Sequence, residues 1–256
     1  MTSIKYAFSK CTQFTSKELM WFFISSVVFA FLMRFGLWDT ADIGGGFLQL
    51  ILYILLFLLV YFIFIAAQKF VANYQGYDCK YVIWKYALLI SFFITIFIYG
   101  FIPPALVDAL LKSGFAFFFL YLGNIDLKEN PAMRLGNFRS AMNIKDLMWV
   151  GIAGPIAVAL LMVIVFIPLF FLTGAEIFKH ATMIGAVLIF FSSLPLPKTN
   201  GINVLYYSRR VWITYFVIGL LLLLLLLPFN ILLYFIALVL ILLITWVCSK
   251  LIKVFY

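Results

Sequence analysis

The chain has 256 residues, is 67% hydrophobic and only 11% charged, and carries a formal net charge of +9. A soluble domain averages about 45–50% apolar and about 25% charged residues, so this composition excludes an ordinary soluble protein and points to one embedded in a membrane. The excess of lysine and arginine does not mark a nucleic-acid partner, because it falls on alternate connections between apolar runs, where it reports topology and an attraction to anionic lipid.

The opening stretch "MTSIKYAFSKCTQFTSKELM" is basic and polar, too long for the n-region of a signal peptide and without a cleavage site after a short apolar core. Apolar runs of about the 18–20 residues needed to cross the hydrocarbon core predict spans over 20–37, 47–68, 84–103, 147–173, 180–196, 211–228 and 230–248. Their recurrence through the whole chain implies helices rather than a barrel. Trp21, Trp38, Trp84, Trp149, Trp212 and Trp246 all fall at span edges, where an amphipathic indole prefers to sit.

Residues 104–122, "PALVDALLKSGFAFFFLYL", fit no clean lipid-facing helix. The piece follows Pro103 with Pro104, holds Asp108 and Lys112, and ends in a β-prone aromatic run, so it reads as a re-entrant or partly β segment. Residues 123–146 form the one sizeable cytoplasmic loop. Lys5, Lys10 and Lys17 precede the first span, Lys69, Lys80 and Lys85 follow the second, and Lys128, Arg134, Arg139 and Lys145 fill the loop. Lys198, Arg209, Arg210, Lys250 and Lys253 complete one face, which places both termini in the cytoplasm. The expectation is an all-α polytopic membrane protein, one integral membrane domain over 1–256, built as a bundle of about 6–8 transmembrane helices.

Reactive groups are scarce. Cys11, Cys79 and Cys248 lack metal-ligand spacing and read as buried thiols. The lone His180, at a span edge, reads as an interfacial or capping residue and excludes any two-histidine site. Glu18, Asp39, Asp42, Asp78, Asp126, Glu129, Asp146 and Glu176 lie in loops or at span ends, which leaves Asp108 as the one acid at membrane depth. Its bland reading is a pair with Lys112. Lys69 and Lys198 read as snorkelling interface residues.

Three segments carry small residues, glycine and proline at telling positions. They are "FIAAQKFVANYQG" (64–76), "AGPIAV" (153–158) and "SSLPLPKTNG" (192–201). In this order the chain resembles the site-2 protease family of intramembrane zinc metalloproteases, in particular its archaeal members. That family carries HExxHxxxAxxxG, then AGPxxN, then NxxPxxPLDG. Its two histidines and the distant aspartate bind zinc, and the glutamate serves as general base toward the metal-bound water. Ala72, Gly76, Ala153, Gly154, Pro155, Pro195 and Gly201 match the frame, while Pro197 stands one residue early. "FTSKEL", "GFIPPALV" and "NVLYYSRRVW" extend the likeness.

The departures fall on the chemistry. Phe64 and Gln68 stand at the histidine positions, Ile65 at the glutamate, Asn200 at the aspartate, and Val158 and Ser192 at the two asparagines. The resemblance therefore implies a degenerate member with no zinc, no cofactor and no catalytic residue. It would be a pseudoprotease in the cell membrane that binds or scaffolds transmembrane helices of partner proteins. An accessory subunit of a larger membrane complex is the alternative, with displaced protease chemistry or a transporter behind it. Gln68 and Asn200 are expected to approach each other, directly or through one water, with Phe64 filling the volume of the lost metal site.

Overall fold

A computed structural model of the chain describes residues 4–34, 43–83, 86, 89, 93, 123–129, 143–196 and 199–226. The described part is mostly helical, with one small antiparallel sheet. The predicted span 230–248, most of 84–103 and all of 104–122 lie outside the described residues, as do Asp108, Pro197 and Lys198.

A short amphipathic helix, α1 (Ile4–Cys11), lays Ala7 and Cys11 against the third helix and leaves Phe8 exposed. Helix α2 (Ser16–Arg34) begins ahead of the predicted span because Thr15 and Glu18 form a capping box. The Thr15 amide donates to Glu18 Oε2 at 2.7 Å, and the Glu18 amide donates back to Thr15 Oγ1 at 3.4 Å. Two orphan donors of the first turn are thereby satisfied.

Helix α3 (Ile43–Tyr74) runs for 32 residues. At 1.5 Å per residue that is about 48 Å, longer than the roughly 30 Å hydrocarbon core, so part of it stands outside. It stops at Gly76, whose φ of 85° is a left-handed conformation that costs glycine little. The chain then enters β1 (Tyr77–Ile83), which pairs with β2 (Gly123–Glu129) in the register Tyr77↔Glu129 to Ile83↔Gly123. Strand therefore occurs immediately beside 104–122, and the first residues of the predicted 123–146 loop belong to a sheet. The pairing also fixes a boundary condition: residues 84–122 leave and return at one place.

The second half begins with α4 (Ile144–Leu161), capped by Asn143, whose side chain accepts from the Lys145 amide at 3.1 Å. Pro168 has no amide hydrogen to close the next turn. The helix widens into a π-helical stretch at Met162–Phe166, where the Ile167 amide reaches back to the Met162 carbonyl, and continues as α5 (Ile167–Thr173). Gly174, at φ 64°, ends it. Next come α6 (Glu176–Ser193), a tight loop, α7 (Asn200–Tyr207) and α8 (Arg209–Leu226).

Among the described residues three helical stretches are long and apolar enough to cross a membrane: Gly46–Tyr74, Ile144–Thr173 and Glu176–Ser193. This makes the chain a membrane protein. A continuous core of Phe22, Phe29, Phe57, Val60, Phe64, Ile65 and the buried face of α6 joins these elements.

Candidate functional site

The three motif segments meet on one face of α4. Gly154 lies so close to α3 that a Cβ there would sit 2.9 Å from the Phe64 carbonyl oxygen and 3.0 Å from Gln68 Nε2. One turn earlier, a Cβ on Gly151 would be 3.4 Å from Asn200 Cβ. Residues three apart share a helix face. This glycine face therefore receives Gln68 from α3 and Asn200 from α7, on neighbouring turns. Motif reasoning misses Gly151, although its spacing to Gly154 supplies the signal.

All four degenerate positions are interior. Phe64 and Ile65 are fully buried, and Gln68 and Asn200 are each only 1% exposed. Phe64 stacks on Tyr61, with ring centroids 5.9 Å apart, and joins the main core. The direct amide bond is not formed. Gln68 Oε1, Gln68 Nε2 and Asn200 Nδ2 have no hydrogen-bond partner among the described residues. Close packing of both side chains against α4 places them on adjacent turns of the same face without a hydrogen bond between the amides.

This donor set does not fit the zinc that the resemblance attaches to these positions. Zinc takes thiolate, imidazole or carboxylate, whereas two of the positions are apolar and two are carboxamides. Among the described residues no three His, Cys, Asp or Glu side chains gather as a metal-binding group.

The remaining motif residues serve the frame. Ala72 is fully buried against Tyr77 and Val150, Gly76 supplies the turn into β1, Pro155 is buried within α4, and Ala153 is half-buried. Val158, at the family's first asparagine, is fully buried in the apolar core. Pro195 is exposed in the loop before α7. That loop is organised by Thr199, whose hydroxyl donates to the Leu194 and Leu196 carbonyls and accepts from the Leu196 amide. Ser192 Oγ shares a hydrogen bond with Tyr215 Oη, and Trp212 Nε1 donates to the Ser193 carbonyl at 2.9 Å, which fastens α8 to the end of α6. Gly201 sits where a Cβ would fall on the Ser193 and Leu194 carbonyl oxygens.

Two residues take roles unlike those the sequence suggests. Lys69 does not snorkel. Its Nζ lies 2.9 Å from Glu18 Oε1, with both side chains almost wholly buried, 3.3 Å from the Gln13 carbonyl and 4.0 Å from the centre of the Phe14 ring. Glu18 is likewise no peripheral acid, since Oε1 also accepts from the Tyr81 amide at 2.6 Å. Burial opposes its charged form, but the Tyr81 and Thr15 amides and Lys69 outweigh that and hold the carboxyl below its ordinary value. The charge on Lys69 would be costly in the interior without such partners, and the folded N-terminal segment supplies them. The Thr15-x-x-Glu18 box is the readable half of this arrangement.

His180 lies in the second turn of α6 rather than at its cap, with its ring edge-on to Tyr53 at 5.6 Å. Burial pushes the Cys79 thiol up to about 12, so at neutral pH it remains protonated and is no nucleophile. Cys11 is raised in the same direction by burial. An apolar groove of about 480 Å³ runs between α2 and α3, lined by Leu19, Phe22, Leu58, Leu59, Phe62 and Ile63.

Replacing Gly154 with alanine should drive α3 and α4 apart. Gln68 can rotate away, but the Phe64 carbonyl cannot, and overpacking of this kind costs about 1–3 kcal/mol. Thermal unfolding in detergent should show the loss, with Ala153→Gly as a control on the neighbouring position. A Gly154→Ala variant as stable as the parent would mean that the close approach is not real.

No protein-family model, curated protein or solved structure matches this chain.

Proposed function

We propose that the chain is a non-catalytic, site-2-protease-like membrane protein, a pseudoprotease that binds or scaffolds transmembrane segments of partner proteins. On this reading its bundle has six to eight helices, and both termini face the cytoplasm of the cell that carries it in its membrane. The observation that carries the reading is the convergence of the three motif segments on the glycine face of α4 with every reactive position replaced. Phe64, Ile65, Gln68 and Asn200 occupy the interior position, and none is a metal ligand or base of the resembled kind.

A protein that keeps such a frame without the reactive groups retains contact surface and loses turnover. The α2–α3 groove is the apolar surface best suited to a partner helix, since helix association in lipid is driven by close van der Waals packing. The test is a photo-crosslinking residue at Leu59 in the full chain, activated in its native membrane, with mass spectrometry of the products. Adducts to transmembrane segments of other proteins are expected, and adducts to lipid alone would overturn the proposal. A single partner recovered at fixed stoichiometry in mild detergent would favour the accessory-subunit reading instead. One tightly bound zinc per purified chain would refute the non-catalytic assignment.

A further inference from the structure

Two carboxamides without partners cannot rest cheaply in an apolar interior. Gln68 and Asn200 are each 1% exposed, and three of their polar atoms have no partner among the described residues. Their neighbours offer nothing better. Phe64, Ile65 and Val158 are apolar and fully buried, and Thr199 and Ser192 are already engaged elsewhere.

The geometry confines both amides to adjacent turns of one surface. Gln68 Nε2 lies against Gly154 and Asn200 Cβ against Gly151, and helix positions three apart have Cβ atoms about 5–6 Å from each other. The glycines present no side chain that would occupy the space between them. A direct bond is absent, so the unpartnered atoms call for something small, uncharged and able both to donate and to accept.

We infer that Gln68 and Asn200 form an internal hydration site, holding one or two bound waters against the Gly151–Gly154 face. An ordered internal water makes about three hydrogen bonds to otherwise unsatisfied groups, which matches the three unpartnered atoms here. The amides act as complementary ends: Gln68 Oε1 accepts from the water, and the two amide nitrogens donate to it. The site requires no relation to any protease and stands whether or not the chain binds partner helices. It would link α3 and α7 across α4 through a solvent molecule.

The experiment pairs a double-mutant cycle with direct observation. In the full-length protein in detergent, Gln68→Met and Asn200→Leu should each lower the thermal midpoint by about 4–8 °C, because each strands the water and the opposite amide. The double variant should lose clearly less than the sum, since nothing polar is then left unpaired. In a high-resolution structure of the parent, solvent density should lie within hydrogen-bond reach of both amides. Additive losses overturn the inference. So does a parent structure in which the two amides touch directly, or in which no density lies between them. The parent structure decides the matter even if the variants do not fold.

Discussion

Substituting Gly201 with alanine is expected to abolish accumulation of folded protein. Its added Cβ would land on the Ser193 and Leu194 carbonyl oxygens. These atoms are backbone at the end of α6, and the Ser193 carbonyl is already held by Trp212 Nε1. No rotamer change can relieve the clash, so α7 must leave α6 and carry Asn200 away from the α4 face. Overpacking typically costs about 1–3 kcal/mol, and a clash with fixed backbone belongs at or above the upper end of that range. Gly174→Ala is the matched control, because its surroundings are open and only the left-handed φ of 64° is strained. That change should cost about 1 kcal/mol. Comparable yield and melting temperature for the two variants would show that α7 does not pack as described.

Removing one member of the Glu18–Lys69 pair should be at least as damaging. Breaking a buried ion pair leaves a charge without its counterion and costs about 3–5 kcal/mol. Lys69→Met would leave Glu18 with only amide and hydroxyl donors, and Glu18→Gln would leave Lys69 with the Gln13 carbonyl and the Phe14 ring. The double substitution should recover part of the loss, which a surface pair would not do.

The pH dependence has a definite sign. The folded Glu18 carboxyl is depressed, so its stabilisation is fully present above the ordinary glutamate range and is lost as pH falls through the lower folded value. The parent should therefore lose stability progressively as pH falls from the ordinary glutamate range to the lower folded value, and Glu18→Gln should remove that component. An unchanged acid limb in the variant would show that Glu18 is not the group responsible.

The sequence is most readable where physics is local. Long apolar runs locate α3, α4 and α6, because covering the hydrocarbon core needs only length and apolarity. Helix ends are less legible. Helix α2 starts ahead of its apolar run because Thr15 and Glu18 cap it, a pattern written in four residues but outweighed by the hydropathy of the helix body. The strands hide in segments that look like charged connections. "YDCKYVI" and "GNIDLKE" alternate only weakly, and their pairing is a long-range fact.

At the candidate site, the small residues announce themselves, since Gly154 and Gly201 stand where no Cβ fits. The disposition of the two amides does not. Whether Gln68 and Asn200 touch depends on how far each is held by α4, and no spacing rule reports that. Lys69 misleads for a related reason. A lysine at the end of an apolar helix ordinarily extends to water, and only the folded N-terminal segment shows that a carboxylate waits for it.

That carboxylate has a consequence for the order of synthesis. Glu18 precedes Tyr81, one of its hydrogen-bond donors, by 63 residues. At roughly 5–20 residues per second, α2 exists for about 3–13 s before the strand that completes its first turn has left the ribosome. During that interval the Glu18 carboxylate has only its Thr15 donors and, once α3 is made, Lys69. The buried strut of the finished protein thus closes late, only when β1 brings the Tyr81 amide to the carboxylate.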